Sequence, residues 1–149
     1  MIYLNEATKD DLELMMAWRS HPLVYEGFYT QTKPLKWDEH FDWFTTRNKD
    51  WRTFIILFES RKVGIVTIGQ LDHWSPEIGY YIGEVTLWGQ GVGKEAVSLA
   101  LRWLKDRGYK YTHTTVLSKN KRSLELLKSL GFEILGNARK GELWLTKSL

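Results

Sequence analysis

Trp88-Gly89-Gln90-Gly91-Val92-Gly93-Lys94-Glu95-Ala96 is the stretch on which the reading of this chain turns. Three glycines fall within five residues, where a strand pattern gives way to a helix pattern. Glycine lets a backbone come close to a ligand. The unpaired N–H groups of a helix start, together with the positive end of its dipole, favour a pyrophosphate. A bare strand-to-helix turn needs fewer glycines, so the segment reads as an anion cradle. Two common cradles do not fit it. A P-loop needs Gly-x-x-x-x-Gly-Lys-Ser/Thr, but with Gly93-Lys94 in register Trp88 stands at the first glycine and Glu95 at the hydroxyl. A Rossmann fingerprint can be laid on Gly91-x-Gly93-x-x-Ala96, yet residues 109–124 hold no acidic residue for a ribose.

Outward from the loop the pattern is regular. Residues 94–107 carry Ala96, Val97, Ala100, Leu101 and Leu104 on one helical face and stop at Gly108. Residues 111–117 read as a strand, 120–130 as a helix closed by Gly131, and 132–135 and 143–145 as the last strands. Upstream, residues 76–82 form a strand. Thr53-Phe54-Ile55-Ile56-Leu57-Phe58 is a buried strand, and the polar turn Glu59-Ser60-Arg61-Lys62 leads into a strand over 63–69. Nearer the start, residues 2–5 read as a strand. Thr8 and Asp11 make a capping pattern for a helix through Leu12, Met15, Met16 and Arg19. Pro22 and Gly27 break regularity, and a second helix is expected over 37–47. The order β-α-α-β-β-β-α-β-α-β-β predicts an α/β (mixed α+β) fold. It consists of one domain over 1–149, with a central mixed, twisted sheet of about six to seven strands flanked by about four helices. The strands flanking the glycine-loop helix should be parallel and joined by a right-handed crossover.

Composition agrees with a globular chain: 149 residues, 43% hydrophobic, 26% charged and a net charge of +3. There is no cysteine, hence no disulfide, thiolate nucleophile or cysteine metal site. The uncharged stretch at 63–71 is too short to span a bilayer, and Met1-Ile2-Tyr3-Leu4-Asn5-Glu6 lacks the basic and apolar regions of a signal peptide. The expectation is a cytoplasmic protein acting without metal, membrane or nucleic acid. The charges of Lys119, Lys121 and Arg122 serve either an anionic small ligand or a solvated helix start. Eight tryptophans are many. Trp18, Trp37, Trp43, Trp74 and Trp88 lie near expected loops or helix ends, as cleft walls or as packing.

Trp88-x-x-Gly91-x-Gly93 resembles the Arg/Gln-x-x-Gly-x-Gly/Ala acetyl-CoA signature of the GNAT acetyltransferase superfamily. Downstream, Asn120-x-x-Ser123-x-x-Leu126-Leu127-Lys128-x-Leu130-Gly131-Phe132 resembles that family's Asn-x-x-Ala-x-x-Leu-Tyr-x-x-Leu-Gly-Phe segment, and the element order agrees over nearly the whole chain. The resemblance implies acetyl-CoA as cosubstrate, with Trp88, Gly89, Gln90, Gly91, Val92, Gly93 and Lys94 around the pyrophosphate. Tyr81, Ile82 and Gly83 would pair with the pantetheine arm, Asn120 would hydrogen-bond it, and Ser123 and Leu127 would line its path. Lys94 and Lys128 would add charge near the phosphates. The sequence departs from the family twice. Trp88 replaces the first Arg/Gln, and Leu127 stands where many relatives carry a tyrosine that protonates the departing thiolate.

Acyl transfer to an amine needs the amine neutral, the thioester carbonyl polarised and the two held together. Glu77 precedes the glycine loop by the spacing that resembles the glutamate base of the histone-acetyltransferase branch; its other reading is a carboxylate paired with a basic neighbour. His73 and His113 are read as surface or packing residues. Trp18-Arg19-Ser20-His21-Pro22 and Trp37-Asp38-Glu39-His40-Phe41-Asp42-Trp43-Phe44 resemble segments of a branch acting on nucleotide-linked 4-amino sugars. That resemblance implies acceptor contacts from Arg19, His21, Trp37, His40 and Trp43; ordinary helix packing is the other reading. The small-molecule amine has two rivals, a protein N-terminus as in ribosomal-protein acetyltransferases and a domain that binds acyl-CoA without transfer. A homodimer is left open.

Overall fold

The computed structural model describes residues 1–29, 31–47 and 49–149. Its elements are β1 (Ile2–Glu6), α1 (Leu12–Arg19), α2 (Pro22–Tyr25), α3 (Trp37–Thr46), β2 (Arg52–Phe58), β3 (Arg61–Gly69), β4 (Glu77–Ile82), α4 (Val92–Asp106), β5 (Tyr111–Leu117), α5 (Lys121–Ser129), β6 (Glu133–Arg139) and β7 (Glu142–Ser148). Single 3-10 turns occupy Lys9–Asp11 and Val85–Leu87.

One seven-stranded sheet runs in the order β1-β2-β3-β4-β5-β7-β6 and is antiparallel except where β4 lies beside β5. The mixed α/β architecture expected from the element order is therefore present, with five α-helices among the described residues. The additional helix is α2. Pro22 does not break the chain there but starts a turn of helix at its first position, where a missing N–H costs nothing, and His21 Nδ1 accepts from Leu23 N at 3.1 Å to cap it.

The alternation of β2 divides the core into two layers. Phe54 and Ile56 face α4 and α5, in a cluster with Val66, Ile68, Ile78, Ala96, Val97, Ala100, Leu104 and Leu127. Ile55, Ile65 and Tyr81 face the other way, against Leu12, Met15 and Trp18 of α1. Outside α1 lies α3, joined to it by His40, whose Nε2 donates to Leu12 O at 2.9 Å.

The seam that matters is β4–β5. Its register is the single pair Glu77↔His113. Thr112 Oγ1 donates to Pro76 O at 2.7 Å and Thr114 Oγ1 to Ile78 O at 2.6 Å, and among the described residues no further pairing follows. On its far edge β4 stays paired with β3 up to Ile82↔Gly64, and β5 stays paired with β7 up to Leu117↔Glu142. The sheet thus opens as a wedge with its apex at Glu77 and Ile78. Among the described residues no strand partner covers the open side of β4, which a buried backbone tolerates only if something else can pair with its polar groups.

Candidate functional site

The loop between β4 and α4 stands at the mouth of this wedge. Gly89 and Gly91 have φ of +80° and +83°, and a Cβ built on either meets nothing within 4 Å. Only glycine holds that left-handed conformation cheaply, and the empty space beside it keeps the backbone open to a ligand. Gly91 is the N-cap of α4 and offers no side-chain acceptor, so the first N–H groups of the helix remain available. Gly93, in the first turn, is packed differently: a Cβ there would press on Leu126 Cδ1 and Tyr80 Cε2.

Trp88 does not block the loop. Its indole N–H donates to Ile82 O at 2.8 Å, which ties the loop to the end of β4, and the Arg122 guanidinium lies 4.5 Å over its ring. Opposite, Asn120 Oδ1 accepts from Ser123 N at 3.2 Å as the N-cap of α5, leaving its Nδ2 to donate elsewhere. Tyr80 Oη and Ser123 Oγ are 2.6 Å apart. Burial raises the Tyr80 hydroxyl above the usual phenol range, partly opposed by the Ser123 hydrogen bond and the Arg122 charge.

These elements enclose a cavity of about 610 Å³. Its wall includes Tyr81 and Ile82 of β4, Trp88, Gly89, Gly91, Val92, Gly93 and Lys94 of the loop and helix start, and Asn120 and Ser123 at α5. The fit to coenzyme A rests on this shape: an open amide-lined bend at one end, an unpaired strand edge along one side, and the cations Lys94, Lys119 and Arg122 at the rim.

Four of the expected coenzyme contacts lie elsewhere. Gly83 N still pairs with Val63 O at 2.8 Å, and its missing Cβ makes room for the Trp18 indole rather than for a ligand. Gln90 points outward, its Nε2 donating to Thr86 O at 3.2 Å. Leu127 is 1% exposed in the core, because helical phase puts Ser123 and Leu126, not Leu127, on the cleft side of α5. Lys128 follows it away from the wall and is exposed.

A second cavity, of about 570 Å³, adjoins the first and is bounded by the end of α2 and the segment after it (Tyr25, Tyr29, Gln31) and by the β6–β7 turn (Lys140, Gly141). Glu26, Phe28 and Lys119 line both. None of the five expected acceptor residues lines either cavity. Arg19 lies behind the wall, its Nε donating to Gln31 Oε1 at 3.0 Å and its guanidinium 4.5 Å over Phe28; burial lowers its pKa. His21 caps α2, and His40 joins α3 to α1. Trp37 and Trp43 flank the buried His40 on α3 and are partly exposed, Trp43 stacked on His40 with ring centroids 5.8 Å apart.

Glu77 lies at the wedge apex and outside both cavity walls, its Oε2 3.5 Å from His113 Nε2. His113 Nδ1 is 3.3 Å from Ser75 Oγ, and its ring packs edge-on against Trp144.

Sequence reasoning missed Tyr80, Phe28, Glu26 and Leu126. Tyr80 was within reach: strand alternation places it on the same face as Ile78 and Ile82, toward the glycine-loop helix. Phe28 and Glu26 lie just past a short helix that gave no periodic signal.

Among the described residues no helix is long and apolar enough to cross a membrane, and no three His, Cys, Asp or Glu side chains cluster as metal ligands.

The family model for the acetyltransferase (GNAT) domain matches residues 2–133. An uncharacterized protein of Methanocaldococcus jannaschii is 48% identical over 149 residues, covering 97% of this chain; the chain spans 30% of that relative's length. A crystal structure of a domain from the same organism superposes with a TM-score of 0.96 at 45% identity, covering 100% of this chain and 99% of that one. Spermidine N-acetyltransferase from Vibrio cholerae, solved with CoA and spermine, superposes with a TM-score of 0.85 over 99% of this chain and 95% of its own; at 14% identity the likeness is one of fold.

Proposed function

The chain belongs to the acetyltransferase (GNAT) family, and from that premise we propose that it transfers the acetyl group of acetyl-CoA directly to a primary amine, in the cytoplasm. The observation that carries the reading is the coincidence of three features on one cavity: the left-handed Gly89 and Gly91, the edge of β4 that no strand covers past its seam with β5, and the Asn120 cap. Backbone amides of the loop take the pyrophosphate. The pantetheine arm enters the wedge as an extra strand along β4, which aims the thioester at the apex.

Glu77 is the base in this reading, acting on the ammonium directly or through water. What supports it is its place at the apex, where the thioester must end, with His113 Nε2 3.5 Å from its carboxylate. The acceptor enters by the second cavity. A nucleotide-linked amino sugar suits that cavity better than a polycation does: Lys119 and Lys140 face it with only Glu26 in opposition, and Tyr25 and Tyr29 offer aromatic rings to a base or sugar. Arg19 supports this wall through Phe28 and Gln31 without reaching the ligand.

Thermal melting with acetyl-CoA, NAD and ATP tests the ligand class: a rise with acetyl-CoA alone is expected, and a rise with NAD would overturn it. Thiol release from acetyl-CoA across a panel of amines then tests transfer. Release with a nucleotide-linked amino sugar supports the acceptor reading. Release only with peptide N-termini replaces it, and no release with any amine leaves a domain that binds acyl-CoA without transfer.

A further inference from the structure

When an amine displaces a thioester's sulfur, a C–N bond forms, the C–S bond breaks, and the electron pair leaves on sulfur. The thiolate then needs a hydrogen-bond donor and finally a proton. The residue one turn after Ser123, Leu127, is apolar and buried in the core; further along the wall α5 presents Glu125, Leu126 and Ser129, whose hydroxyl already donates to Leu126 O at 2.6 Å. The cavity wall does hold one hydroxyl pair: Tyr80 Oη, from β4, within 2.6 Å of Ser123 Oγ, from the first turn of α5. Of the β4 residues on the wall, Ile82 is nearest the glycine loop and Tyr80 nearest the apex. A coenzyme held by its pyrophosphate at the loop therefore brings its sulfur toward the Tyr80 end.

We propose that Tyr80 and Ser123 form the proton donor to the departing thiolate, with Tyr80 giving its hydroxyl proton to sulfur and recovering one from solvent through Ser123. The inference rests on the acetyl-transfer reading. The balance closes without another reactant: sulfur gains the phenolic proton, the phenolate takes the proton of Ser123, Ser123 takes one from water, and the proton lost by the ammonium returns to solvent. Desolvation keeps Tyr80 protonated at neutral pH, and Arg122 beside the pair stabilises the transient phenolate. The 2.6 Å separation fixes the phenol's orientation before the coenzyme arrives, so little reorganisation is needed at the moment of bond breaking.

Two measurements on Tyr80→Phe and Ser123→Ala test the pair, with melting curves to confirm that each variant folds. The first needs no acceptor: ultraviolet titration of the thiol of bound CoA. If Tyr80 donates to the sulfur, the bound thiol ionises at lower pH in the parent protein than in Tyr80→Phe. Identical titrations overturn the proposal, whatever the protein does with amines. The second is kcat for thiol release against pH. Tyr80→Phe should lower kcat about 10- to 100-fold at neutral pH, with KM for acetyl-CoA nearly unchanged, and should abolish the fall of kcat at high pH that marks deprotonation of the acid. Ser123→Ala should lose less rate and keep that alkaline limb. An unaltered rate and limb in Tyr80→Phe removes the pair from the reaction. Failure of the parent protein to acetylate any amine counts against the function reading alone, since the titration still decides the pair.

Discussion

The indole N–H of Trp88 donates to the carbonyl of Ile82 across 2.8 Å, and that bond joins the last residue of β4 to the first residue of the glycine loop. Where the family signature places an Arg or Gln able to reach the ligand, this chain has a residue that fixes the loop's entry angle. The Arg122 guanidinium stacked over the same ring supplies a positive charge at the rim.

Trp88→Phe keeps the ring and removes the donor. Loss of one half-buried hydrogen bond is expected to cost about 1 kcal/mol of stability and to weaken acetyl-CoA binding several-fold through a looser loop. Urea unfolding and calorimetric titration measure the two effects. Unchanged coenzyme affinity would show that the loop needs no such tie.

Asn120 caps α5 and, in the proposed reading, also donates to the coenzyme, and a single substitution separates the two roles. Asn120→Asp retains an oxygen to cap Ser123 N, so stability should stay within about 0.5 kcal/mol of the parent. The same change replaces the Nδ2 donor with a carboxylate facing an anionic ligand, and the Kd for acetyl-CoA should rise about tenfold or more. Equal affinities for the two proteins would remove Asn120 from the coenzyme site.

Glu77→Gln should lower kcat about 100-fold at neutral pH. It should leave the KM for acetyl-CoA nearly unchanged, because Glu77 lies at the apex and outside the wall of the cavity beside the glycine loop. Steady-state kinetics with a reactive amine decide this, and a full rate in the variant takes the base role from Glu77.

The fold was legible in the sequence where burial imposes a period. β2, with Phe54 and Ile56 on one face and Ile55 on the other, and α4, with Ala96, Val97, Ala100, Leu101 and Leu104 inward, both carry patterns that only one structure satisfies. β6 carries none. It is an edge strand with every residue exposed, so its expected span stopped at residue 135 whereas pairing with β7 continues to Arg139. The glycine loop was legible because left-handed backbone demands glycine. The second cavity was not, because the segment after α2 lines it with residues such as Phe28 and Gln31 that no local rule distinguishes from packing. Arg19, His40 and Trp43 looked like ligand contacts for the same reason in reverse: a polar or aromatic residue that braces α1 against its neighbours has no local signature different from one that binds a substrate.

His40 makes stability depend on pH. Its Nε2 donates to Leu12 O, and its buried Nδ1 has no partner among the described residues. Burial lowers its pKa; the Leu12 hydrogen bond opposes this and Arg19 adds to it. An unfolded histidine titrates near 6.5, so as pH falls below about 6.5 the unfolded chain takes up this proton first, and stability is lost by at most about 1.4 kcal/mol per pH unit. Above that pH the group contributes no slope. Melting curves from pH 7.5 to 5 should therefore fall more steeply for the parent protein than for His40→Gln, and parallel curves would contradict the assignment.

The account stands on phosphates meeting backbone amides at the start of α4, and amide NMR of the uniformly labelled protein, titrated with acetyl-CoA, observes that contact itself. The largest shifts are expected at the amides of Gly89, Gly91, Val92, Gly93 and Lys94, with a second group along Tyr80 to Ile82 as the pantetheine arm pairs with β4. Saturable binding that leaves the amides of residues 89–94 unmoved while others shift would contradict it.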